Sequence, residues 1–373
     1  MDIFAVTFSD RLKSICARME ERGLDLIVAI HDGVHFIETP NPVMVLSGFK
    51  SLGPAACLVD RTGETTLIVT PAWDAERARE VCPAARVVGG DDVADELRAV
   101  LARHPKAVIG IAGLSVAPFG IATRIAHHLP NAAPADDIVF DAAAAKTDDE
   151  IGWAREATRI ADLNYRHLLK ITRPGMSEDE LAVELRWHSK SLGAEDNFLL
   201  LCASPHNRAV APSNGRRIVE GDIVLAEITP SFRGQLAQIC RTVTVGAAPD
   251  LLRTKYDLVV QAMNAGIRAA MPGAKMSNVC RAINTVLEAQ GYGEYCHPPH
   301  IRRRGHGLGF ASIRPGDVAL DNETVLAPGM VFMIHPNQYL PETGYLLCGE
   351  PVLMTPAGAQ PLTQRQAALA ELS

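Results

Sequence analysis

Two helix starts, separated by a Pro-Gly break, constrain the fold of the second half of this chain more than any other feature. Thr147 stands three residues before Glu150, which is the capping-box spacing that begins a helix. Ser177 and Glu180 repeat that spacing just after Pro174-Gly175, a dipeptide that interrupts helices. The pattern therefore predicts two consecutive helices.

The same pattern returns further along the chain. A second pair of helices is predicted over about 252–271 and 277–290, with Pro272-Gly273 between them. Two helix pairs with strands after them indicate an internal α/β duplication, and we expect the tail from Gln360 to be a frayed polar end. The strand-like apolar segments lie at 222–229, 239–245, 330–335 and 350–355.

The first half of the chain alternates helix and strand signals. Apolar residues recur at helical spacing from Phe8 to Met19, and a short apolar run at 107–112 has the length of a strand. Arg61-Thr62-Gly63-Glu64 separates two further apolar runs as a hairpin turn would. Because this alternation is typical of layered α/β domains, we predict an α/β domain over residues 1–145 and a second domain over 146–373.

The composition argues against several kinds of partner. The net charge is −7 and the pI about 6.0, whereas nucleic-acid-binding proteins usually show a basic face, so we expect no nucleic-acid partner. No apolar run approaches the roughly 20 residues of a membrane span, and the start of the chain does not read as a secretory signal. The cysteines form no C-x-x-C pair, as expected of reduced thiols. We therefore expect a soluble, cytoplasmic protein without a membrane partner.

Short segments of the second half match the motifs of one known family in the same order. Together they resemble the pita-bread fold of creatinase, prolidase, aminopeptidase P and methionine aminopeptidase. The first half resembles the creatinase-type N-terminal domain, chiefly through its length and Val45-Leu46-Ser47-Gly48-Phe49. The resemblance implies an α+β pita-bread catalytic domain after the α/β domain. The matching segments are 146–151, 174–178, 221–225, Arg241-Thr242, 305–309 and 326–331.

The resemblance also shows where metal ligands would stand. Metal-dependent members of the family hold two divalent ions with Asp, Asp, His, Glu and Glu, and the ions activate a bridging water. At these positions this chain has Glu227, Gln238, His306, His335 and Gly349. A glutamine carries no charge, so two adjacent divalent ions would repel each other with too little compensation. We therefore expect a metal-independent site and no cofactor.

One alternative keeps a single metal ion. Zinc, iron or manganese could be held by Glu227, His306 and His335, because two histidines and one carboxylate suit such ions. Glu350 follows the last ligand position by one residue and is a doubtful second carboxylate. Strand alternation would aim it away from the site.

Catalysis in a pocket without metal would depend on imidazole groups. Creatinase-like enzymes place a catalytic histidine in the loop before the first ligand strand, and Pro205-His206-Asn207 resembles that histidine–asparagine pair. His206 and His306 are therefore the candidate proton carriers. Glu227 and His335 are the other catalytic candidates.

Polar groups would hold the substrate where the relatives hold metals. Gln238 would line that place, Arg314 could bind a substrate carboxylate bidentately, and Glu350 is a third candidate. The preferred hypothesis is a creatinase-like, metal-independent hydrolase. It would cleave the C–N bond of an amide or amidino group in a small polar molecule.

Three other functions stay open at this point. One is a mononuclear metal-dependent hydrolase or lyase, because the fold hosts both chemistries. Another is a non-enzymatic binding protein that kept the pocket. An Xaa-Pro peptidase is least favoured, because that chemistry in this family depends on the two-metal bridging water. The resemblance further implies a homodimer that acts on a small-molecule substrate.

Overall fold

The protein divides into two compact units. The computed structural model describes residues 6–372. The chain passes from one unit to the other after Thr147, two residues beyond the predicted boundary at 145. The expectation of no secretory signal concerns in part residues 1–5, which lie outside the described residues. Ser373, at the end of the predicted second domain, also lies outside them. The N-terminal unit contains 6–147 and 310–314, and the C-terminal unit contains 148–309 and 315–372.

A mixed β-sheet forms the centre of the N-terminal unit. Its strands are β1 (Leu26–His31), β2 (Ala55–Asp60), β3 (Thr65–Val69), β4 (Arg86–Gly89), β5 (Ile109–Ala112) and β6 (Ala133–Pro134). They are ordered β4-β3-β2-β1-β5-β6 across the sheet. Its helices are α1 (Phe8–Glu21), α2 (Pro42–Ser47), α3 (Ala75–Val81), α4 (Val93–Leu101), α5 (Phe119–His128) and α6 (Asp136–Ala142), with a 3₁₀ turn at Ala72–Asp74.

The central strand β1 shows why this unit folds into layers. Ile27 and Ala29 belong to the hydrophobic core on one face of the sheet, and Val28 and Ile30 belong to the core on the other face. A strand covered on both faces needs a continuous apolar run rather than an alternating one, which is what residues 26–30 provide. The predicted α/β character of this domain is confirmed.

The C-terminal unit combines helix pairs with antiparallel sheets. Its helices are α7 (Asp148–Ile171), α8 (Glu178–Ser191), α9 (Asp250–Ala269) and α10 (Met276–Glu288), with a 3₁₀ turn at Gly293–Cys296. Its first strands are β7 (Asp196–Ser204), β8 (Ile223–Phe232), β9 (Gln235–Leu236), β10 (Ile239–Val245) and β11 (Gly305–Gly307). The later strands are β12 (Val331–Ile334), β13 (Gln338–Leu340), β14 (Gly344–Leu346), β15 (Glu350–Thr355), β16 (Gly358–Pro361) and β17 (Ala370–Leu372).

The predicted duplication is visible in these elements. Helices α7 and α8 pack on a sheet ordered β17-β10-β8-β7, and α9 packs on a second sheet ordered β11-β12-β15-β16. The two sheets meet at a β-bridge between Cys240 and Gly349. The start of α8 follows the predicted chemistry, since Ser177 Oγ accepts from the Glu180 amide at 3.1 Å and Glu180 Oε2 accepts from the Ser177 amide at 2.7 Å.

The C-terminal tail is ordered, so the expectation of a frayed end is wrong. Strand β17 pairs in parallel with β10, and the amide of Ala367 donates to Glu350 Oε1 at 2.6 Å. Glu350 is fully buried, and a buried carboxylate needs hydrogen-bond donors. The tail supplies those donors, which is the physical reason for its order.

Two sequence expectations concern membranes and thiols. No helix within residues 6–372 combines the length and the apolarity needed to cross a bilayer. The eight cysteines all lie in this described range and are free thiols, as expected.

Candidate active site

Neighbouring strands of the first sheet bring a carboxylate and an amide together. Glu227 lies on β8 opposite Cys240 of β10, and Gln238 immediately precedes β10. The amide Nε2 of Gln238 donates to Glu227 Oε1 at 2.5 Å, and Cys240 Sγ lies 3.7 Å from Glu227 Oε2. Gln238 is buried and Glu227 is half-buried. The pair therefore forms a charge-assisted hydrogen bond at the wall of a polar site.

The second sheet supplies two imidazoles. His306 lies on β11, which pairs with β12, and His335 follows the end of β12. Their ring centroids are 5.3 Å apart. Nδ1 of His306 donates to the carbonyl oxygen of Gly307 at 3.0 Å, so Nε2 is the nitrogen able to accept a proton.

The glycine before His306 is required by this pairing. Gly305 has a φ of +147°, and a Cβ at this position would lie 1.9 Å from the carbonyl oxygen of Met333. No side chain fits there. The glycine thus lets β11 approach β12 closely enough to place His306 beside His335.

His335 is a neutral imidazole in the folded protein. Burial, followed by the positive charges of neighbouring groups including Arg303, holds its pKa well below 6.5. Its Nδ1 is buried without a hydrogen-bond partner, and so is Oε1 of Gln238. Buried polar atoms without partners are uncommon, so both atoms are candidates to contact a bound molecule.

A short chain of contacts connects the two halves of the site. Glu227 pairs with Cys240, Cys240 bridges to Gly349, and Gly349 packs against His335. The structure therefore brings together Glu227, Gln238, His306 and His335, and we refer to these four residues as the site cluster.

Gly349, at the last family ligand position, has no space for a side chain. A Cβ there would lie 2.5 Å from Met333 Cε and 2.6 Å from His335 Cβ. Glu350, one residue on, turns away from the site cluster. It lies 3.1 Å from Arg241 Nη2 and also accepts from the hydroxyl of Thr363. The structure thus does not bring Glu350 to the site cluster, and its carboxylate serves the buried pair with Arg241.

Two other predicted residues make hydrogen bonds to groups outside the site cluster. His206 is exposed, and its Nε2 donates to the carbonyl oxygen of Pro341 at 3.0 Å. Arg314 belongs to the N-terminal unit, where its Nε donates to Asp141 Oδ1 at 2.5 Å. The contacts of these side chains are therefore with groups outside the four-residue set.

Sequence reasoning missed three polar neighbours of the site. Asn337 Nδ2 lies 3.7 Å from Cys240 Sγ, and Arg241 Nη1 donates to the carbonyl oxygen of Gly349 at 2.7 Å. Burial and then the charge of Glu227 raise the pKa of Tyr345, which keeps that phenol protonated. The motif Arg241-Thr242 was a signal for the second of these residues, but its contact lies more than a hundred positions away in sequence. No local pattern pointed to Asn337 or Tyr345.

The donor set does not fit a pair of divalent ions. Glu227 is the only carboxylate in the site cluster, and it faces an amide N–H that would repel a cation. Among residues 6–372, no three side chains of His, Cys, Asp or Glu are arranged to hold one metal ion. The steric block at Gly349 removes a further oxygen ligand.

The sequence and fold relationships identify the family. A model described as metallopeptidase family M24 matches residues 153–356, which is more than half of the chain. The chain belongs to metallopeptidase family M24. The creatinase/prolidase N-terminal domain matches residues 11–142, so the pita-bread fold and the creatinase-type N-terminal domain are both confirmed.

Relatives of this M24 protein match it over nearly the whole length. An Xaa-Pro dipeptidase of Pyrococcus furiosus is 27% identical over 362 residues, covering 96% of this chain and 98% of the relative. The structure of a prolidase from Pyrococcus furiosus is 26% identical, has a TM-score of 0.80, and covers 94% of this chain and 99% of its own. A prolidase structure from Pyrococcus horikoshii shares the fold, with a TM-score of 0.84 at 24% identity. The match covers 96% of this chain and 99% of the prolidase chain.

These findings correct two predictions. The preference for a creatinase-like, metal-independent hydrolase over an Xaa-Pro peptidase is wrong, because the full-length relatives are Xaa-Pro dipeptidases. The expectation of no cofactor is contradicted as well, because the family is one of metallopeptidases. The small number of carboxylates at the family ligand positions argues against two bound divalent ions. It gives no information about the substrate. The coarser prediction of a hydrolase acting on a C–N bond agrees with the family.

Proposed function

We propose that this M24 protein hydrolyses the peptide bond of short peptides of dipeptide size. The observation that carries the proposal is the end-to-end match to Xaa-Pro dipeptidases, over 96% of this chain and 98% of the relative. An enzyme that had changed its type of substrate would need to keep only the fold. Here polar side chains are also kept at four of the five family ligand positions, at Glu227, Gln238, His306 and His335.

The site cluster supports recognition of a peptide amino terminus. An α-ammonium group carries a positive charge and three N–H donors. Glu227 offers the charge, and Gln238 Oε1 is a buried acceptor without a partner. His335 is kept neutral by burial, and in the tautomer that carries its proton on Nε2 it offers Nδ1 as a further acceptor. The cluster thus supplies one negative charge and unmet acceptors, which is the complement of an ammonium group.

His306 is the group that we assign to proton transfer in this reaction. Its Nδ1 is held by the carbonyl oxygen of Gly307, which directs the ring and leaves Nε2 as the basic nitrogen. A proton must reach the leaving amine when a peptide bond is cleaved. Because the residues present do not fit the paired metal ions of the family, the roles proposed for this chain are binding, orientation and proton transfer alone.

Hydrolysis of a dipeptide panel tests the proposal. Xaa-Pro and Xaa-Ala dipeptides are incubated with the protein, both without added metal and with Mn²⁺, Zn²⁺ or Co²⁺ added singly. Released amino acids are quantified by mass spectrometry. We expect cleavage under at least one condition, and a loss of about 100-fold or more in kcat/KM for Glu227→Gln, because the charge partner of the substrate ammonium group is removed.

The matched control is Glu288→Gln, which removes an exposed carboxylate at the end of α10 and should leave kcat/KM unchanged. If the folded wild-type protein cleaves no dipeptide under any of these conditions, the proposal is wrong. If it binds dipeptides without turnover, the protein is a binding protein instead. A cytoplasmic location and a homodimer stay predictions, the first supported by the free thiols.

A further inference from the structure

A buried guanidinium without a counter-ion lies in the C-terminal unit. Arg304 is 1% exposed. Its Nε donates to Asn284 Oδ1 at 2.7 Å, and its Nη1 donates to Gln338 Oε1 at 2.9 Å and to the carbonyl oxygen of Pro336 at 3.1 Å. All of these acceptors are neutral. Nη2 is buried with no hydrogen-bond partner, so two N–H groups of a cation are left unmet.

The other fully buried arginine of this unit shows what is missing. Arg241 lies 3.1 Å from the carboxylate of Glu350, and both side chains are inaccessible to solvent. Burial lowers the pKa of Arg241, but Glu350 and nearby groups raise it above its usual value. No carboxylate of the described residues forms an ion pair with Arg304. An isolated buried charge is costly, so an anion from outside the chain would stabilise it.

Arg304 is one of the residues that line a cavity. It has a volume of about 180 Å³ and is lined by Arg302, Arg303 and Arg304, with His297 and Asp321 also at its wall. Since a water molecule takes about 30 Å³ of liquid volume, the space would accommodate a small oxyanion with a few waters. Helix α10 and the segment after the 3₁₀ turn at Gly293–Cys296 form the remaining wall, through Cys280, Asn284 and Pro298.

The charge around the cavity favours an anion. The three arginines contribute three positive charges. Asp321 offsets one, and Asp317, which lies 2.9 Å from Arg303 Nη1, offsets another. One positive charge is left in this count. The planar guanidinium presents parallel N–H groups that match two oxygens of a phosphate or carboxylate.

We propose that this cavity is a binding site for a small oxyanion, carrying a phosphate or carboxylate group, that pairs with Nη2 of Arg304. The site is distinct from the site cluster but is connected to it through the backbone. The carbonyl oxygen of Arg304 accepts from the amide of His335 at 2.9 Å, and Arg304 Nη1 holds the carbonyl oxygen of Pro336. An anion on Arg304 therefore stabilises the segment that positions His335.

Calorimetric titration of the full chain with inorganic phosphate, sulfate and acetate tests this site, with chloride at matched ionic strength as the reference. We expect saturable binding of one oxyanion per chain. The melting temperature should rise by about 2–4 °C when the oxyanion is raised from its Kd to about ten times that value. Preference for phosphate and sulfate over acetate, or the reverse, identifies the chemical group.

Variants that remove a positive or a negative charge from the cavity wall make the test specific. Arg302→Ala removes an exposed wall arginine and should weaken binding by about tenfold, whereas Asp321→Asn removes the wall carboxylate and should strengthen it by a similar factor. Arg268→Ala, an exposed arginine of α9 away from the cavity, is the charge-matched control and should have no effect. Arg304→Gln should abolish binding, and the exposed variants keep the test decisive if that variant does not fold.

Equal responses to chloride and to the oxyanions would show simple ionic screening and would overturn the proposal. The same conclusion follows if Arg302→Ala and Asp321→Asn bind phosphate like Arg268→Ala.

Discussion

A Cβ at Gly349 would lie 2.6 Å from the Cβ of His335, so the residue at 349 and the side chain at 335 are sterically coupled. With His335 and Met333 in place, no side chain can enter at the last ligand position of the family. The loss of that ligand is therefore built into the packing of β12 against the start of β15. A single substitution at position 349 would therefore not restore the missing ligand.

Gly349→Ala should destabilise the protein by about 1–3 kcal/mol, because a methyl group is forced into occupied space. The free energy of unfolding, measured by urea titration, checks this value. Gly152→Ala is the matched control, since Gly152 lies in α7 with nothing within 4 Å of its added Cβ. That change should stabilise the protein by up to about 1 kcal/mol. A Gly349→Ala protein as stable as wild type would contradict the steric coupling.

Gln238→Asp should strengthen the binding of a divalent ion at the site cluster. A second carboxylate beside Glu227 replaces the amide N–H that now repels a cation. We expect the affinity for Mn²⁺, measured by calorimetry, to rise at least about tenfold. Gln290→Asp adds the same charge at an exposed position and should leave the affinity unchanged. An unchanged affinity in Gln238→Asp would show that amide–carboxylate pairing is not what excludes cations.

Stability should fall with acidity because His335 is buried as a neutral ring. Its folded pKa lies well below 6.5, so below pH 6.5 the unfolded chain binds a proton that the folded chain does not. The stabilisation is complete above pH 6.5 and is lost as the pH falls, at up to about 1.4 kcal/mol per pH unit. His335→Gln should reduce that slope in urea titrations between pH 7 and 5. His104→Gln, at an exposed position, should preserve it. Burial also lowers the pKa of His31 and His188, so some slope stays in the variant.

The buried pair of Arg241 and Glu350 should be the most sensitive point of the C-terminal unit. Arg241→Met leaves the carboxylate buried without its cation and should cost about 3–5 kcal/mol of unfolding free energy. The double variant Arg241→Met, Glu350→Leu should recover most of that loss. Arg253→Met, which breaks exposed pairs with Asp250 and Glu371, should cost about 1 kcal/mol or less. A double variant as unstable as the single one would mean that the hydrogen bonds of Arg241 to backbone carbonyl groups dominate.

Local chemistry explains why much of the fold could be predicted from the sequence. The capping boxes at Thr147 and Ser177 and the Pro-Gly breaks act within a few residues, so the helix pairs are readable without any tertiary information. The four residues of the site cluster were readable through motif spacing. The order of the C-terminal tail could not be predicted from the sequence. It depends on hydrogen bonds from Thr363 and Ala367 to Glu350, and these donors have no local sequence signature.

The choice of substrate could not be made from the residues of the site alone. Replacing carboxylates with Gln238 and His335 removes ion-binding capacity, yet it leaves acceptors and a charge that fit a peptide amino terminus equally well. Only the folded protein shows which polar atoms of the site lack hydrogen-bond partners. Arg304 illustrates the same limit, since three consecutive arginines in sequence gave no sign that one would be buried without a counter-ion.

Recognition of a peptide amino terminus is tested by comparing Ala-Pro with N-formyl-Ala-Pro as substrates of the wild-type protein. The two peptides share the scissile bond, but formylation removes the ammonium group that Glu227 and Gln238 are proposed to bind. We expect kcat/KM to fall by about 100-fold or more on formylation, and we expect Glu227→Gln to remove most of this difference. Equal kcat/KM values for the two peptides would contradict this recognition.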